Sequence, residues 1–203
     1  MATLNDYRSA VRDLLAAAVD QATWTDALID AALRRGLAAY DGRNVYESDF
    51  SVVTTGHIQD LSTLTADLKD ILSLAYPWFS HSRYDSSTVR WRGIGDHRVV
   101  LAGYAPQAGE TIRVRHTRRH AIQNLDGASA TTVPDRHLPL VALAGAWWAC
   151  ELRRRQVSEN PAIPPAAAAI LGELAASMRA DFFAALEMIQ PGAQPEWATI
   201  GLA

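Results

Sequence analysis

Residues 28–55 read LIDAALRRGLAAYDGRNVYESDFSVVTT, and the hydrophobic pattern changes within this stretch. Up to Tyr40, apolar residues recur every three or four positions, which is typical of an amphipathic helix. Asp41-Gly42 predicts the end of that helix. From Val45 to Thr55 the composition favours a β-strand. The sequence therefore predicts that a helical segment passes directly into a β segment here.

Two helices are predicted before this boundary. The second begins after Trp24, because the Thr25 hydroxyl can accept a hydrogen bond from the free N–H groups of a first helical turn. The first is expected to be capped by Asn5 or Asp6 and to extend to about Val19. The N-terminal segment of the chain is therefore predicted to be helical.

The distribution of alanine extends this division to the whole chain of 203 residues. Of 36 alanines, 28 lie in residues 1–40 and 135–203, and only 8 lie in residues 41–134. Val, Ile and Thr show the opposite bias, with 13 outside and 22 inside the central segment. Because alanine favours helices and β-branched residues favour strands, the composition predicts an α+β fold. Its N- and C-terminal helices would form a helical bundle, and a central antiparallel β-sheet or small β-sandwich would be inserted between them.

This fold predicts four segments along the chain. Residues 1–40 would supply the N-terminal helices of the bundle, residues 41–134 the antiparallel β domain, and residues 135–190 the C-terminal helices. In the last segment, one helix is expected from Asp135 or Pro139 to Arg155 and another from about Ala166 to Ile189. Pro191-Gly192 is expected to end the last helix, and residues 191–203 would form an extended docking tail.

Turn-forming residues separate five candidate strands in the β domain. Gly95-Asp96-His97 is expected to connect one hairpin, and the segment 105–109 a second. The candidate strands are Val45–Thr55, Lys69–Trp78, Thr88–Ile94, Arg98–Gly103 and Thr111–Ile122.

Composition and motifs argue against several functions. The net charge of −3 is unlike that of a basic nucleic-acid-binding protein, and the single cysteine cannot form a disulfide framework. No signal peptide or membrane-spanning segment is expected. The sequence contains no phosphate-binding loop, dinucleotide fingerprint, nucleophile elbow or HExxH motif. We therefore predict neither a cofactor nor a metal, and no enzymatic activity.

The segment 113–120, RVRHTRRH, is the most unusual charged stretch. On a strand, Arg113, Arg115, Thr117 and Arg119 share one face, and the residues between them share the other. The arginine face is either solvated or in contact with phosphates or with a neighbour's carboxylates. We take these three arginines as interface candidates. The apolar residues of the tail, Trp197, Ile200 and Leu202, complete the candidate set, since their exposure to water would be costly.

The histidines and the cysteine give little support for catalysis. His116 and His120 would share a strand face about 13 Å apart, too far for one metal ion. Cys150 lies in an apolar helix and is expected to be buried. Two alternatives stay open: a hydrolase using Asp96, His97 and a nearby hydroxyl, and a DNA-binding regulator using the arginine strand.

The order of segments resembles the head-to-tail connector (adaptor or head-completion) proteins of tailed bacteriophages. The resemblance covers about residues 20–155 and is a pattern of elements. It is carried by the helix opened by Trp24-Thr25, the segment through Gly56 to Asp60-Leu61-Ser62, Ile71 to Tyr76-Pro77, the strand with Trp91, Leu101 to Pro106 leading to Gly109–Val114, His120, Thr131–Pro134, and Gly145-Ala146-Trp147-Trp148.

This resemblance implies a non-enzymatic virion protein that forms a ring, commonly twelvefold, between the portal and the tail. Its partners would be further copies of itself, the portal protein, and a tail or second neck protein, with DNA passing non-specifically through the channel. It would reside in the virion neck, and in the bacterial host cytoplasm during assembly. The chain departs from the simplest connectors, which are small helical bundles, by carrying about 90 residues of predicted β structure.

Overall fold

The computed structural model describes residues 1–16, 23–54, 58–61, 68–76, 88–94, 98–101 and 107–189. The fold is mixed α+β, with four α-helices and two small antiparallel sheets in the described residues. These residues form two compact units. The helical unit comprises the described residues of Met1–Asn44 and His120–Ala203, and the β unit comprises those of Val45–Arg119. The helices are α1 (Leu4–Leu14), α2 (Asp26–Asp41), α3 (Leu138–Ser158) and α4 (Pro165–Ile189).

The start of α1 differs from the prediction that Asn5 or Asp6 would cap it. Thr3 is the N-cap: its hydroxyl accepts a hydrogen bond from the N–H of Asp6, and the Asp6 carboxylate accepts one from the N–H of Thr3 at 2.7 Å. This reciprocal arrangement is a capping box, in which Asp6 supplies the acid three residues after the cap. The helix ends at Leu14, short of the predicted end near Val19, which lies outside the described residues.

The prediction for α2 is confirmed. Thr25 is the N-cap, and its hydroxyl accepts a hydrogen bond from the N–H of Leu28 at 3.3 Å. The helix ends at Asp41, immediately before Gly42. Arg8 of α1 joins the two helices through a two-point contact with the carboxylate of Asp30, at 2.8 and 2.7 Å. Planar guanidinium and carboxylate groups suit this geometry, which fixes α1 against α2.

The helix α3 is the centre of the helical unit, because it packs against α1, α2 and α4. A 3-10 turn at Asp135–His137 precedes it, so the predicted start is confirmed. The helix α4 begins at Pro165, one residue before the predicted position. The predicted β domain of residues 41–134 was too long at its C-terminal end. Ile122, Leu125 and Val133 are buried in the core of the helical unit.

The larger sheet of the β unit has the strand order β1-β7-β3-β4, and all its pairings are antiparallel. The smaller sheet has the order β2-β6-β5 and is also antiparallel. Both sheets contribute side chains to one apolar cluster, which includes Leu74 and Val114 of the larger sheet and Leu101 of the smaller. The strands are β1 (Tyr46–Val53), β2 (Ile58–Asp60), β3 (Leu68–Ala75), β4 (Thr88–Val89), β5 (Trp91–Gly93), β6 (Arg98–Leu101) and β7 (Thr111–Arg118).

Two predictions about the strands are wrong. The expected single strand Thr88–Ile94 is interrupted at Arg90: β4 pairs with β3 in the larger sheet, whereas β5 pairs with β6 in the smaller. This break carries the chain from one sheet to the other. The predicted second hairpin, joined by residues 105–109, does not form, because β6 and β7 belong to different sheets. The first hairpin is confirmed as the antiparallel pair β5–β6, although its connecting residues 95–97 lie outside the described residues.

The strand β7 ends four residues before its predicted end at Ile122. Side chains replace a neighbouring strand as hydrogen-bond partners beyond this point. The N–H of His120 donates to the carboxylate of Asp41 at 3.0 Å, and the N–H of Ala121 donates to the hydroxyl of Thr132 at 2.8 Å. These bonds satisfy the backbone without extending the sheet.

Candidate interaction surface

The charged residues of β7 lie on the face that their alternation predicted. Arg113 is half-buried and Arg115 is exposed, whereas Val114 and His116 between and beside them are buried. Thr117 is an exception, because it is buried and its hydroxyl accepts a hydrogen bond from the N–H of Asp70 at 3.2 Å. The solvent-facing part of the strand is therefore limited to the two arginines and the residues around them.

Carboxylates of β1 lie beside both arginines. Arg113 stands opposite Ser51 in the sheet register and forms an ion pair with Asp49. Arg115 stands opposite Asp49 and forms an ion pair with Glu47. Each pair is thus diagonal across the two strands, a distance that long side chains can span. All four side chains are between 36% and 58% exposed, so each pair contributes only about 0–1 kcal/mol to stability.

A depression of about 540 Å³ lies on this face of the sheet. The ion pairs form one side, and the small residues Ser73 and Ala75 of β3 form the other. Its lining contains two serines but no histidine or cysteine in the described part of the chain, so neither serine has an imidazole or thiolate beside it to act as a base. The depression presents both charge signs to solvent and suits contact with a charged partner surface.

The other candidate residues are not among the described residues of this face. Arg119 is exposed but follows the end of β7, and no salt bridge joins it to another described residue. Trp197, Ile200 and Leu202 lie outside the described residues. The two arginines of β7 are therefore the members of the candidate set that the structure places on one surface.

The outward side of α4 is a second candidate surface that the sequence analysis did not select. Only four of the 25 residues of α4 are buried: Ala175, Met178, Phe182 and Leu186. Ile170 is 64% exposed and Met188 is 83% exposed. We call the exposed apolar residues the outer face of α4, and the exposed carboxylates of Glu173 and Asp181 lie among them; the apolar members are Ala166, Ala169, Ile170, Leu174, Ala176, Ala180, Ala184 and Met188. An exposed apolar face of this length is a feature of surfaces that pack against a partner.

Two histidines of the sequence motif lie in separate cores. His116 is buried in the β unit, and its ring packs edge-on against Phe50 at 4.9 Å between centroids. Burial lowers the pKa of His116, and the neighbouring Arg118 guanidinium lowers it further. His120 is buried in the helical unit, where its ring lies 5.1 Å from that of Tyr40. Both histidines occupy packed surroundings.

Tyr40 links a small polar cluster in the helical unit. Its hydroxyl lies 2.6 Å from Nδ1 of His137, and Asn44 donates to the same hydroxyl. Burial raises the pKa of Tyr40 to about 12 and lowers that of His137. The tyrosine and His137 are therefore held in their neutral forms near pH 7, and the cluster stabilises the junction between α2 and the turn before α3.

The remaining reactive groups are also accounted for. Cys150 is buried, as predicted, and burial raises its pKa to about 11. Within the described residues, no group of three or more His, Cys, Asp or Glu side chains could hold a metal ion. Asp96 and His97, on which the hydrolase alternative depends, lie outside those residues.

Comparisons with known proteins give no identification. No protein-family profile matches the chain, and no curated protein matches it significantly. In the described part of the chain, no helix has both the length and the hydrophobicity needed to span a bilayer.

Sequence reasoning missed the carboxylates that accompany the arginines. Glu47 and Asp49 are two residues apart, as are Arg113 and Arg115, so both pairs have the period of a strand. Matching these two patterns could have predicted that β1 and β7 are neighbours. The sequence did not indicate the outer face of α4, because alanine favours a helix whether or not the helix is buried.

Proposed function

We propose that this chain is a structural protein of the neck of a tailed bacteriophage, where copies form a ring that joins the portal to the tail and surrounds the DNA channel. The role is non-enzymatic and needs no cofactor. The protein would be located in the virion neck, and in the host cytoplasm during assembly. The class of protein comes from the order of segments described above, which resembles that of head-to-tail connectors.

The outer face of α4 is the observation that carries the proposal. In α4, 21 of the 25 residues are not fully buried, and several of these are apolar. The helical unit therefore leaves part of the apolar surface of α4 exposed. Full burial of an exposed side chain of this size contributes about 1.5–3 kcal/mol, so Met188 at 83% exposure would contribute most and Leu174 at 38% least. In a closed ring, every copy offers one surface and accepts another, so a modest contact is repeated around the circle.

In this assembly the helical unit would surround the channel, and the described strands of the β unit would supply an additional layer. The close packing of α2 on α3 supports a compact bundle. The ion-paired face of β7 supports a contact between the additional layer and a charged partner, for which the portal and a second neck protein are the candidates. Twelve copies would have a mass of about 265 kDa, given 22.1 kDa for each chain.

Mass photometry of the purified chain, alone and with the portal of the phage that encodes it, tests the proposal. We expect a discrete closed ring in at least the portal-containing sample. Electron microscopy of virions should then place the chain between head and tail. A chain that stays monomeric with its portal, or that is absent from purified virions, would overturn the proposal.

A further inference from the structure

The strand β1 lies at the edge of the larger sheet. It spans eight residues, and β7 is its single strand neighbour among the described residues. The far edge of the same sheet is β4, of which the structure describes two residues. An unpaired edge of eight residues is long enough to accept a further strand, whereas an edge of two is not.

The backbone groups that face this open edge can be identified from the hydrogen bonds at the end of the strand. The N–H of Thr54 donates to the carbonyl of Glu110, and the carbonyl of Thr54 accepts from Gly109, so Thr54 bonds toward β7. Because bonding direction alternates along an antiparallel strand, the even-numbered residues of β1 bond to β7. The N–H and C=O groups of the odd-numbered residues therefore point to the open edge; these residues are Glu47, Asp49, Ser51 and Val53.

Two features allow the β1 edge to accept a further strand. Proteins commonly protect an edge with charges that repel another strand. Here Glu47 and Asp49 are paired with Arg115 and Arg113, so the carboxylates are neutralised within their own sheet. On the inner side, Phe50 and Val52 pack against the apolar cluster but are only partly buried. A strand added at β1 would extend the cover over both side chains.

The C-terminal segment of the chain has the composition of such a strand. After Pro195, residues 196–203 read EWATIGLA, which matches β1 in length and contains no proline. At period 2, Ala198, Ile200 and Leu202 share one side. That side could lie beside Phe50 and Val52, while the backbone bonds to the open edge.

We propose that residues 196–203 of one copy add as a strand to the β1 edge of the next copy. This inference rests on the proposed function, because a ring supplies each edge with a tail from its neighbour. The tail is thereby assigned a definite acceptor: four residues of backbone on β1 together with the half-buried Phe50 and Val52. The strand addition would link the copies through main-chain hydrogen bonds, which depend little on the side chains present.

Thiol cross-linking of the full-length chain, assembled with the portal, tests the placement. The variant carries Ser51→Cys on β1 and Thr199→Cys in the tail, and a short bis-maleimide reagent tolerates differences in strand register. Background reaction is low because the native Cys150 is buried. The control variant combines Thr199→Cys with Ser9→Cys, an exposed position on α1. We expect a ladder of cross-linked oligomers from the first variant and none from the control.

The other outcomes overturn the proposal in distinguishable ways. A cross-linked monomer would show that the tail pairs with its own chain. A ladder from the control pair would place the tail on α1, and the absence of product from both pairs would exclude the tail from both surfaces. If mass photometry shows rings of the unmodified chain in these cases, the proposed function stands and only the strand addition fails. If no oligomer forms with the portal, the proposed function itself fails.

A second variant tests the backbone hydrogen bonds. Ile200→Pro removes an N–H group and cannot occupy a paired strand, whereas Ile200→Val keeps both the N–H and the strand preference. We expect the proline variant to need at least a tenfold higher concentration for assembly, with the valine variant close to the parent chain. Equal assembly of the two variants would exclude main-chain pairing.

Discussion

Gly36 of α2 packs directly against the backbone of α3 at Gly145, and this contact leaves no room for a side chain at Gly36. A Cβ atom on Gly36 would lie 2.9 Å from the backbone nitrogen of Gly145 and 3.0 Å from the carbonyl carbon of Ala144. A Cβ atom on Gly145 would lie 2.9 Å from a methyl group of Leu33. The two glycines therefore set the distance between the helices on which the helical unit is built.

Gly36→Ala is expected to destabilise the protein. Its new methyl group would meet backbone atoms, which move only if the helices separate, and overpacking of this kind typically costs about 1–3 kcal/mol. Gly172→Ala is the matched control: there the Cβ would meet the flexible Arg154 side chain at 3.3 Å, and alanine gains up to about 1 kcal/mol in helix propensity. Urea unfolding followed by circular dichroism measures both. Equal stability of the two variants would contradict the account of the helix contact.

These glycines also show what a single sequence could and could not predict. Gly36 falls on the apolar stripe of α2, so its place in the core was readable from the 3.6-residue period. The contact of Gly36 with Gly145 could not be predicted, because the pairing of two helices depends on tertiary geometry and not on a local sequence pattern. The same limit applies in the β unit. The position of β1 and the start of β7 followed from composition, but the break at Arg90 depends on the presence of a second sheet.

The candidate site, too, could be predicted only in part. The alternation of Arg113 and Arg115 predicted their common face, since period 2 is a property of any strand. Whether that face was solvated or paired depended on Glu47 and Asp49, which are more than 60 residues distant in sequence. The residues 120–134 were misassigned for a related reason. Their β-branched residues, among them Thr131 and Thr132, suggested β structure, whereas Ile122 and Val133 are buried against helices.

The three candidate arginines, two on β7 and one just after it, give a prediction about assembly. Changing Arg113, Arg115 and Arg119 together to glutamate is expected to leave the helical unit folded and to prevent ring formation on the portal. Exposed ion pairs contribute little singly, but like charges would now face Glu47 and Asp49 across the strands. Assembly on portal-bearing particles and the circular dichroism spectrum of the chain are the two measurements. Infectious particles in normal yield would contradict the prediction.

A compensated variant separates fold from interface. Exchanging the charges of both pairs, with Glu47 and Asp49 changed to arginine and Arg113 and Arg115 changed to glutamate, restores attraction within the sheet. It also exchanges the positions of the two charge signs that the sheet presents to a partner. We expect this variant to recover stability but not assembly. Full recovery of assembly would show that the four residues serve only the fold of the β unit.

His116 makes stability depend on pH. Its pKa is lowered in the folded state by burial and by Arg118, so the unfolded chain, with a histidine pKa of about 6.5, takes up the proton first as pH falls. Stability is therefore retained above about pH 6.5 and declines as pH drops below that value toward the lower pKa of the folded state. His137 acts in the same direction. Urea midpoints measured between pH 8 and pH 5.5 should show this decline.

His116→Leu tests the assignment of this pH dependence. The variant keeps an apolar side chain beside Phe50 and removes one titrating group, so its decline between pH 8 and pH 5.5 should be smaller than that of the parent chain. The decline should not vanish, because His137 remains. An unchanged pH dependence would mean that His116 is not protonated differently in the folded and unfolded states.

The tail gives a prediction that distinguishes its role in folding from its role in assembly. Deleting residues 193–203 removes Trp197, Ile200 and Leu202. If these side chains dock on another molecule, the melting temperature of the monomer should stay unchanged, while ring assembly should be lost, since burial of apolar surface contributes about 25 cal/mol per Å² to the contact. Differential scanning calorimetry of the monomer and mass photometry with the portal give the two values. If the tail instead packs on its own chain, the deletion should lower the melting temperature by several degrees, since a loss of 1 kcal/mol shifts a domain of this size by about 2–4 °C.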